Sequence, residues 1–193
     1  ALDRAALREK FARDGRVQVR DFLMADAAAT IRDILEHQTR WGFSWQAGTR
    51  PNEHILHDDL VGLAPERSRD IAAAVVGAAS RGEYAVRFKS YPILDAYLHK
   101  WDPGSPHDLL IEHINDQPFL DLAREVCAIP ELRKADAQAT LFAPGDLLGL
   151  HTDSHVAEGW RVAYVMNFAD PDWRTDWGGY LNFYNDEGDV IEG

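Results

Sequence analysis

The chain has 193 residues, 46% of them hydrophobic and 27% charged, a composition that supports one folded domain, with room for a small helical extension, and speaks against global disorder. Twenty Lys+Arg against 32 Asp+Glu leave a formal net charge of −12, which argues against a nucleic-acid groove, whose affinity needs a basic surface to displace counterions, and against docking on anionic membrane. A single cysteine, Cys127, allows neither an internal disulfide nor a thiolate zinc site, and a reducing, cytoplasmic setting is the expectation.

The first part of the chain reads as mostly helical. A helix over 2–13 puts Leu2, Ala6, Leu7 and Phe11 on one stripe and stops at Asp14-Gly15. Val17, Val19 and Phe22 then alternate with Arg16, Gln18 and Arg20 as a short half-buried strand. A second helix is expected over 26–38, with Ala27, Ile31, Ile34 and Leu35 inward. Residues 41–65 read as a long irregular stretch, the kind that often serves as a lid. Pro65 opens a third helix to about residue 80, Pro being at home in a first turn. Its apolar run, 71–79, is too short and alanine-rich to span a bilayer, and no signal segment opens the chain. A strand is expected over 84–88, then two short helices over 106–116 and 118–128.

Beyond residue 130 the pattern changes. Short alternating runs at 135–142, 147–153, 161–168 and 180–184 are separated by Pro-Gly, Gly-Trp, Asp-Pro-Asp and Gly-Gly punctuation, the mark of an antiparallel meander or jelly-roll. The expected architecture is α+β, helices first and a barrel-like sheet after them. It forms one domain over 1–193, with 1–130 as mainly helical support and 131–193 as jelly-roll strands.

The chemistry concentrates in histidines. Two His-x-Asp triplets occur, His57-Asp58-Asp59 and His151-Thr152-Asp153. On a strand, positions i and i+2 share a face about 6.5–7 Å apart at Cα, so an imidazole and a carboxylate can converge on one cation as two parts of a 2-His-1-carboxylate triad. Only the second triplet has context: the turn Phe142-Ala-Pro-Gly145, the apolar 147–150, and a following strand with Val162, Tyr164, Met166 and Phe168 on one face and Ala163, Val165 and Asn167 on the other. His54, His57, Asp58 and Asp59 read as a solvated lid rather than a second metal cluster. His155 would be a substitute ligand if the strand persists, but Ser154 and the following Val-Ala-Glu-Gly suggest that the chain bends away instead. Trp173 and Trp177 either stack substrate or pack a turn, and Cys127 reads as a small core residue.

The string from Phe142 to Tyr184 resembles the Fe(II)/2-oxoglutarate-dependent dioxygenases in their prolyl 4-hydroxylase-like branch. The resemblance rests on the Phe-x-Pro-Gly turn, His-x-Asp nine residues after that aromatic, Arg161-Val-Ala-Tyr-Val-Met-Asn167, Pro171-Asp172-Trp173, and Trp177-Gly-Gly-Tyr-Leu-Asn-Phe183. The lead-in Gly15-Arg-Val-Gln-Val-Arg-Asp-Phe-Leu23 is also similar. The resemblance implies a double-stranded β-helix in which His151 and Asp153 hold Fe(II). Asn167 would donate to 2-oxoglutarate and Phe142 would form an apolar wall, with ascorbate as an auxiliary cofactor. The implied reaction hydroxylates a peptidyl residue, prolyl in the family's habit, or a small molecule, releasing succinate and CO2. The family's third ligand is a later His followed about ten residues on by Arg or Lys; after Asp153 the sequence holds only His155, and after Gly179 no basic residue. The chain is therefore expected to be a fragment lacking those strands. The competing expectations are a non-catalytic jelly-roll with a vestigial metal site and a cupin-like metal enzyme. The acidic balance points to a basic or neutral partner.

Overall fold

The computed structural model describes residues 2–153, 159–169, 172–185 and 187–192. It begins with α1 (Arg4–Asp14), where Asp3 caps the helix by accepting the Ala6 N–H at 3.1 Å and Gly15 ends it in the left-handed region at φ +69°. α2 spans Ala25–His37. Between them the expected strand at 17–22 does not form. Its alternation survives as half-burial of Val17, Val19 and Phe22, but no ladder forms there among the described residues, and Asp21 turns the chain at φ +50°.

The largest correction concerns 41–65. This stretch is not irregular: it forms β1 (Gly42–Ala47), β2 (Glu53–Ile55) and α3 (His57–Val61). Ser44 is as buried as Trp45 and Ala47, so β1 is enclosed on both faces. The polar-out alternation that announces a half-exposed strand is then lost.

α4 (Pro65–Ser80) starts on its proline and buries Ile71, Val75 and Ala78, spaced four and three apart as one helical stripe requires. β3 (Ala85–Pro92) runs longer than expected and passes directly into α5 (Ile93–His99), a helix too short to show a period in the sequence. α6 (Pro106–Ile114) and α7 (Gln117–Cys127) follow as anticipated. Then come β4 (Gln138–Leu141), β5 (Leu147–Leu148), a 3-10 turn at Thr175–Trp177, β6 (Phe183–Tyr184) and β7 (Val190–Glu192).

β3 is the spine of a five-stranded antiparallel sheet. β1 lies along one edge with β2 outside it, while β4 (against residues 89–92) and β5 (against 86–87) share the other edge. The register pairs Trp45 with Arg87 and Ala47 with Ala85, which puts Trp45, Ala47, Ala85 and Tyr91 on one face. α4 closes one end of that face in a cluster built on Trp45, Ile55, Ile71, Val75 and Ala78. α5 and α6 close the other with Ile93, Ala96, Ile111 and Ile114 around Tyr91. Each valine or isoleucine there contributes roughly 1.5–3 kcal/mol by leaving water.

The α+β class stands, with the order corrected: α1 and α2 come first as expected, but β1, β2 and β3 then enter the stretch read as mainly helical support, ahead of α5, α6 and α7. The tail strands are also shorter than expected. The 147–153 run keeps two ladder residues, and 161–168 keeps none among the described residues. There Val162, Met166 and Phe168 are half-buried and Ala163, Val165 and Asn167 exposed, as read, whereas Tyr164 of the inward face stays 40% exposed with its ring against Phe119 at 5.6 Å; among the described residues no neighbouring strand takes up the backbone groups. β6 pairs with β7 through an irregular register.

Candidate functional site

The Phe142-Ala-Pro-Gly145 turn leads into the site. Gly145 sits at φ +89°, and the Asp146 N–H donates to the Ala143 carbonyl at 2.9 Å, the closure of a Pro-Gly turn. The Asp146 carboxylate closes it a second time by accepting the Ala143 N–H at 2.9 Å, and it pairs with Arg87 Nε on β3 at 3.3 Å with its own side chain only 5% exposed. Arg87 and Asp146 therefore fix the turn to the sheet. The sequence reading did not single out either one. The available signal was an Asp directly after Pro-Gly, where it can cap the turn.

β5 then runs beside β3, and Gly149 continues the pairing by donating its N–H to the Ala85 carbonyl at 2.8 Å. A side chain at 149 would press on that carbonyl at 3.0 Å, so glycine lets the chain stay against the sheet up to His151. His151 Nδ1 lies 2.9 Å from the Gly149 carbonyl. A carbonyl only accepts, so Nδ1 carries the proton and Nε2 is left as the ring's lone-pair nitrogen. Nε2 faces Asp153 Oδ1 at 3.3 Å. The two predicted ligands are thus brought together on the same side.

That arrangement makes a test of fit for the implied metal. A lone pair and a carboxylate oxygen at 3.3 Å repel unless positive charge sits with them, either a proton on Nε2 or a cation. Donation from the far ring nitrogen to a backbone carbonyl is the usual way a ligating imidazole is oriented. Both groups are accessible, with 37% and 64% of their side-chain surfaces exposed. The pair fits a divalent cation as two ligands. Among the described residues no cluster of three or more His, Cys, Asp or Glu side chains stands ready for a metal, and His155 lies outside the described residues.

Asn167 Oδ1 accepts the Ala169 N–H at 2.7 Å, which fixes the amide orientation and leaves its NH2 as the donor end. Phe142 packs its ring on Phe88 at 5.0 Å and remains 45% exposed. Trp173 and Trp177 are about half exposed. Cys127 is half-buried at the end of α7, and burial pushes its thiol upward from the ordinary value.

The residues at 54–59 do not converge. His54 turns inward on β2, its Nδ1 3.0 Å from Ser44 Oγ and 3.1 Å from Ser90 Oγ, the two hydroxyls 2.7 Å apart. Burial holds this imidazole below its ordinary pKa. His57 Nδ1 lies 3.2 Å from the Trp41 carbonyl, and Asp58 pairs with Arg40. His107, which the sequence did not single out, is buried at 3% exposure and sits between Ser105 Oγ (2.9 Å) and Thr39 Oγ1 (3.1 Å), against the Tyr91 ring.

Residues 137–192 match the family model of the 2OG-Fe(II) oxygenase superfamily. The match takes in the Pro-Gly turn, the His151–Asp153 pair, Asn167 and both tryptophans, and it supports the resemblance at the level of the superfamily. No curated protein and no solved structure matches the chain. Among the described residues no helix is long and apolar enough to cross a membrane.

Proposed function

We propose that this chain carries the metal-binding part of an Fe(II)- and 2-oxoglutarate-dependent oxygenase of the prolyl 4-hydroxylase-like branch, acting in the cytoplasm on a peptidyl or small-molecule substrate. The observation that carries the reading is the convergence of His151 Nε2 and Asp153 Oδ1, with Nδ1 already committed to the Gly149 carbonyl, inside the segment that matches the superfamily. In this reading His151 and Asp153 hold the iron, and the five-stranded sheet is one layer of a double-stranded β-helix. When bound, Fe(II) and 2-oxoglutarate supply the oxidative chemistry that hydroxylates substrate and yields succinate and CO2. The chain's own part is placement. Gly149 fixes the imidazole tautomer, Asp146 and Arg87 hold the turn before it, Asn167 offers its amide N–H to the oxo-acid, and Phe142 walls the site against water. Ascorbate as an auxiliary reductant belongs to the same proposal.

The test is Fe(II)-dependent succinate formation from 2-oxoglutarate, with Fe(II) affinity measured alongside. His151→Ala and Asp153→Ala are each expected to weaken metal binding about 10–100-fold or more and to abolish turnover. Metal binding unchanged in both variants would overturn the reading. Metal binding without turnover would favour a non-catalytic binding module instead.

A further inference from the structure

We propose that the cleft between the β1–β2 connection and the first turn of α4 binds an aromatic carboxylate. The cleft offers about 350 Å³ and is lined by Trp45, Arg50, Pro51, Asn52, Glu53 and Arg67. The register explains the convergence. Trp45 and Glu53 are partners across β1 and β2, the connection at 48–52 brings Arg50 and Asn52 to the same end, and Arg67 comes from α4, which packs over Trp45.

Two donors of this cleft lack acceptors. Trp45 is 3% exposed, and its buried Nε1–H has no hydrogen-bond partner among the described residues. An unpaired buried N–H is costly, so an acceptor oxygen that reaches it is bound with gain. Arg50 places its backbone N–H on the Ala47 carbonyl at 3.3 Å, but its guanidinium has no partner among the described residues. The one carboxylate in the lining, Glu53, is neutralised by Arg67 through contacts of 2.8 and 3.1 Å. Two guanidinium groups thus stand against one carboxylate, a local positive excess in a chain of net charge −12.

That excess selects an anion, and the shape of the groups selects its kind. The planar fork of a guanidinium matches a planar carboxylate, while the Trp45 indole and the Pro51 ring supply apolar surface for a flat body. The Arg67 guanidinium lies over the Trp45 ring at 5.4 Å. Its pairing with Glu53 is weak, both side chains being 43% exposed. An incoming carboxylate therefore competes with Glu53 for Arg67 while it takes Arg50 and the indole N–H. The proposal stands apart from the oxygenase reading, because it uses neither His151 nor Asp153.

Calorimetric titration of the chain with benzoate tests it, with neutral benzamide and inorganic phosphate as controls. Benzoate is expected to saturate with a dissociation constant on the order of 1 mM, and both controls to bind at least about tenfold more weakly. Arg50→Gln should weaken benzoate binding about tenfold, whereas Glu53→Gln, which releases Arg67, should tighten it about threefold. His151→Ala should bind benzoate as wild type does. In proton–nitrogen NMR spectra the Trp45 indole N–H signal, assigned by its loss in Trp45→Phe, should move during the titration. Arg50→Gln and Glu53→Gln change side chains outside the core and keep the test decisive if Trp45→Phe misfolds. Any of these results overturns the proposal: no saturation below about 10 mM, benzamide or phosphate bound as tightly as benzoate, wild-type affinity in Arg50→Gln or in Glu53→Gln, weakened binding in His151→Ala, or an unmoved Trp45 indole signal.

Discussion

Residues 42–139 and 141–191 differ in what they do with their apolar side chains. Among the described residues, every fully buried one lies between Gly42 and Ala139. The later stretch holds most of the large hydrophobics that stay exposed, from Leu141 and Phe142 through Trp177, Tyr180 and Ile191. Similar residue types therefore carry different work. In the first region they supply the free energy that holds β3 between two helical clusters; in the second they form surface around the candidate chemistry. The division places the free energy of folding mainly at 42–139, although Leu147 and Met166 of the later stretch also pack against the two clusters.

The sharpest way to break that division is a matched pair of truncations. Ile114 is 2% exposed in the cluster under Tyr91, whereas Val165 is 76% exposed. Ile114→Ala is expected to cost about 2–5 kcal/mol in urea unfolding, through lost transfer energy and a residual cavity. Val165→Ala should stay within about 0.5 kcal/mol of wild type. Comparable losses in the two variants would show that Val165 belongs to the core as Leu147 and Met166 do at its edges.

A second substitution probes the seam between the regions. Asp146 is the nearly buried carboxylate that joins the Pro-Gly turn to Arg87 on β3. Asp146→Ala strips a hydrogen bond from Ala143 and leaves Arg87 without its counter-charge, at an expected cost of about 1–3 kcal/mol. Because His151 follows the same strand, the variant should also weaken Fe(II) binding although it touches no ligand. Weaker metal binding with unchanged stability would relocate the role of Asp146 from the fold to the site itself.

What could be read in advance follows the same division. Helix boundaries set by local signals were legible: Asp3 and Gly15 around α1, Pro65 at the head of α4, Pro106 at the head of α6. So was the pairing of His151 with Asp153, because spacing two along an extended chain brings side chains to one side. The double-sided burial of Ser44 was not legible, because a polar residue buried by serine and histidine partners looks like a solvent-facing one. The Arg87–Asp146 tie was hidden by its separation of 59 positions (146 − 87). At 161–168 the two faces were legible except for the exposure of Tyr164, and the ladder was not, since alternation states which side chains turn inward but not whether a neighbouring strand accepts the backbone.

The smallest expected effect is a pH dependence confined to the buried region. Thr39 Oγ1 lies 3.0 Å from the Ile34 carbonyl and 3.1 Å from His107 Nε2. The carbonyl can only accept, so the threonine proton goes there and Thr39 accepts from Nε2–H; Nδ1 then accepts the Ser105 hydroxyl at 2.9 Å. The neutral ring is fully partnered, and at 3% exposure burial lowers its pKa, against an opposing pull from Asp102 and Asp108. His54 is lowered in the same direction by burial, between Ser44 and Ser90. With both folded values below the unfolded value of about 6.5, the unfolded chain takes up protons first as pH falls. Stability should therefore be full above that value and decline as pH drops from about 6.5 toward the folded values. Urea unfolding between pH 7.5 and 5.5 measures the slope, and His107→Asn, which removes one titrating ring, should flatten it. A slope as steep in that variant and in His54→Asn as in wild type would assign the pH dependence to other groups.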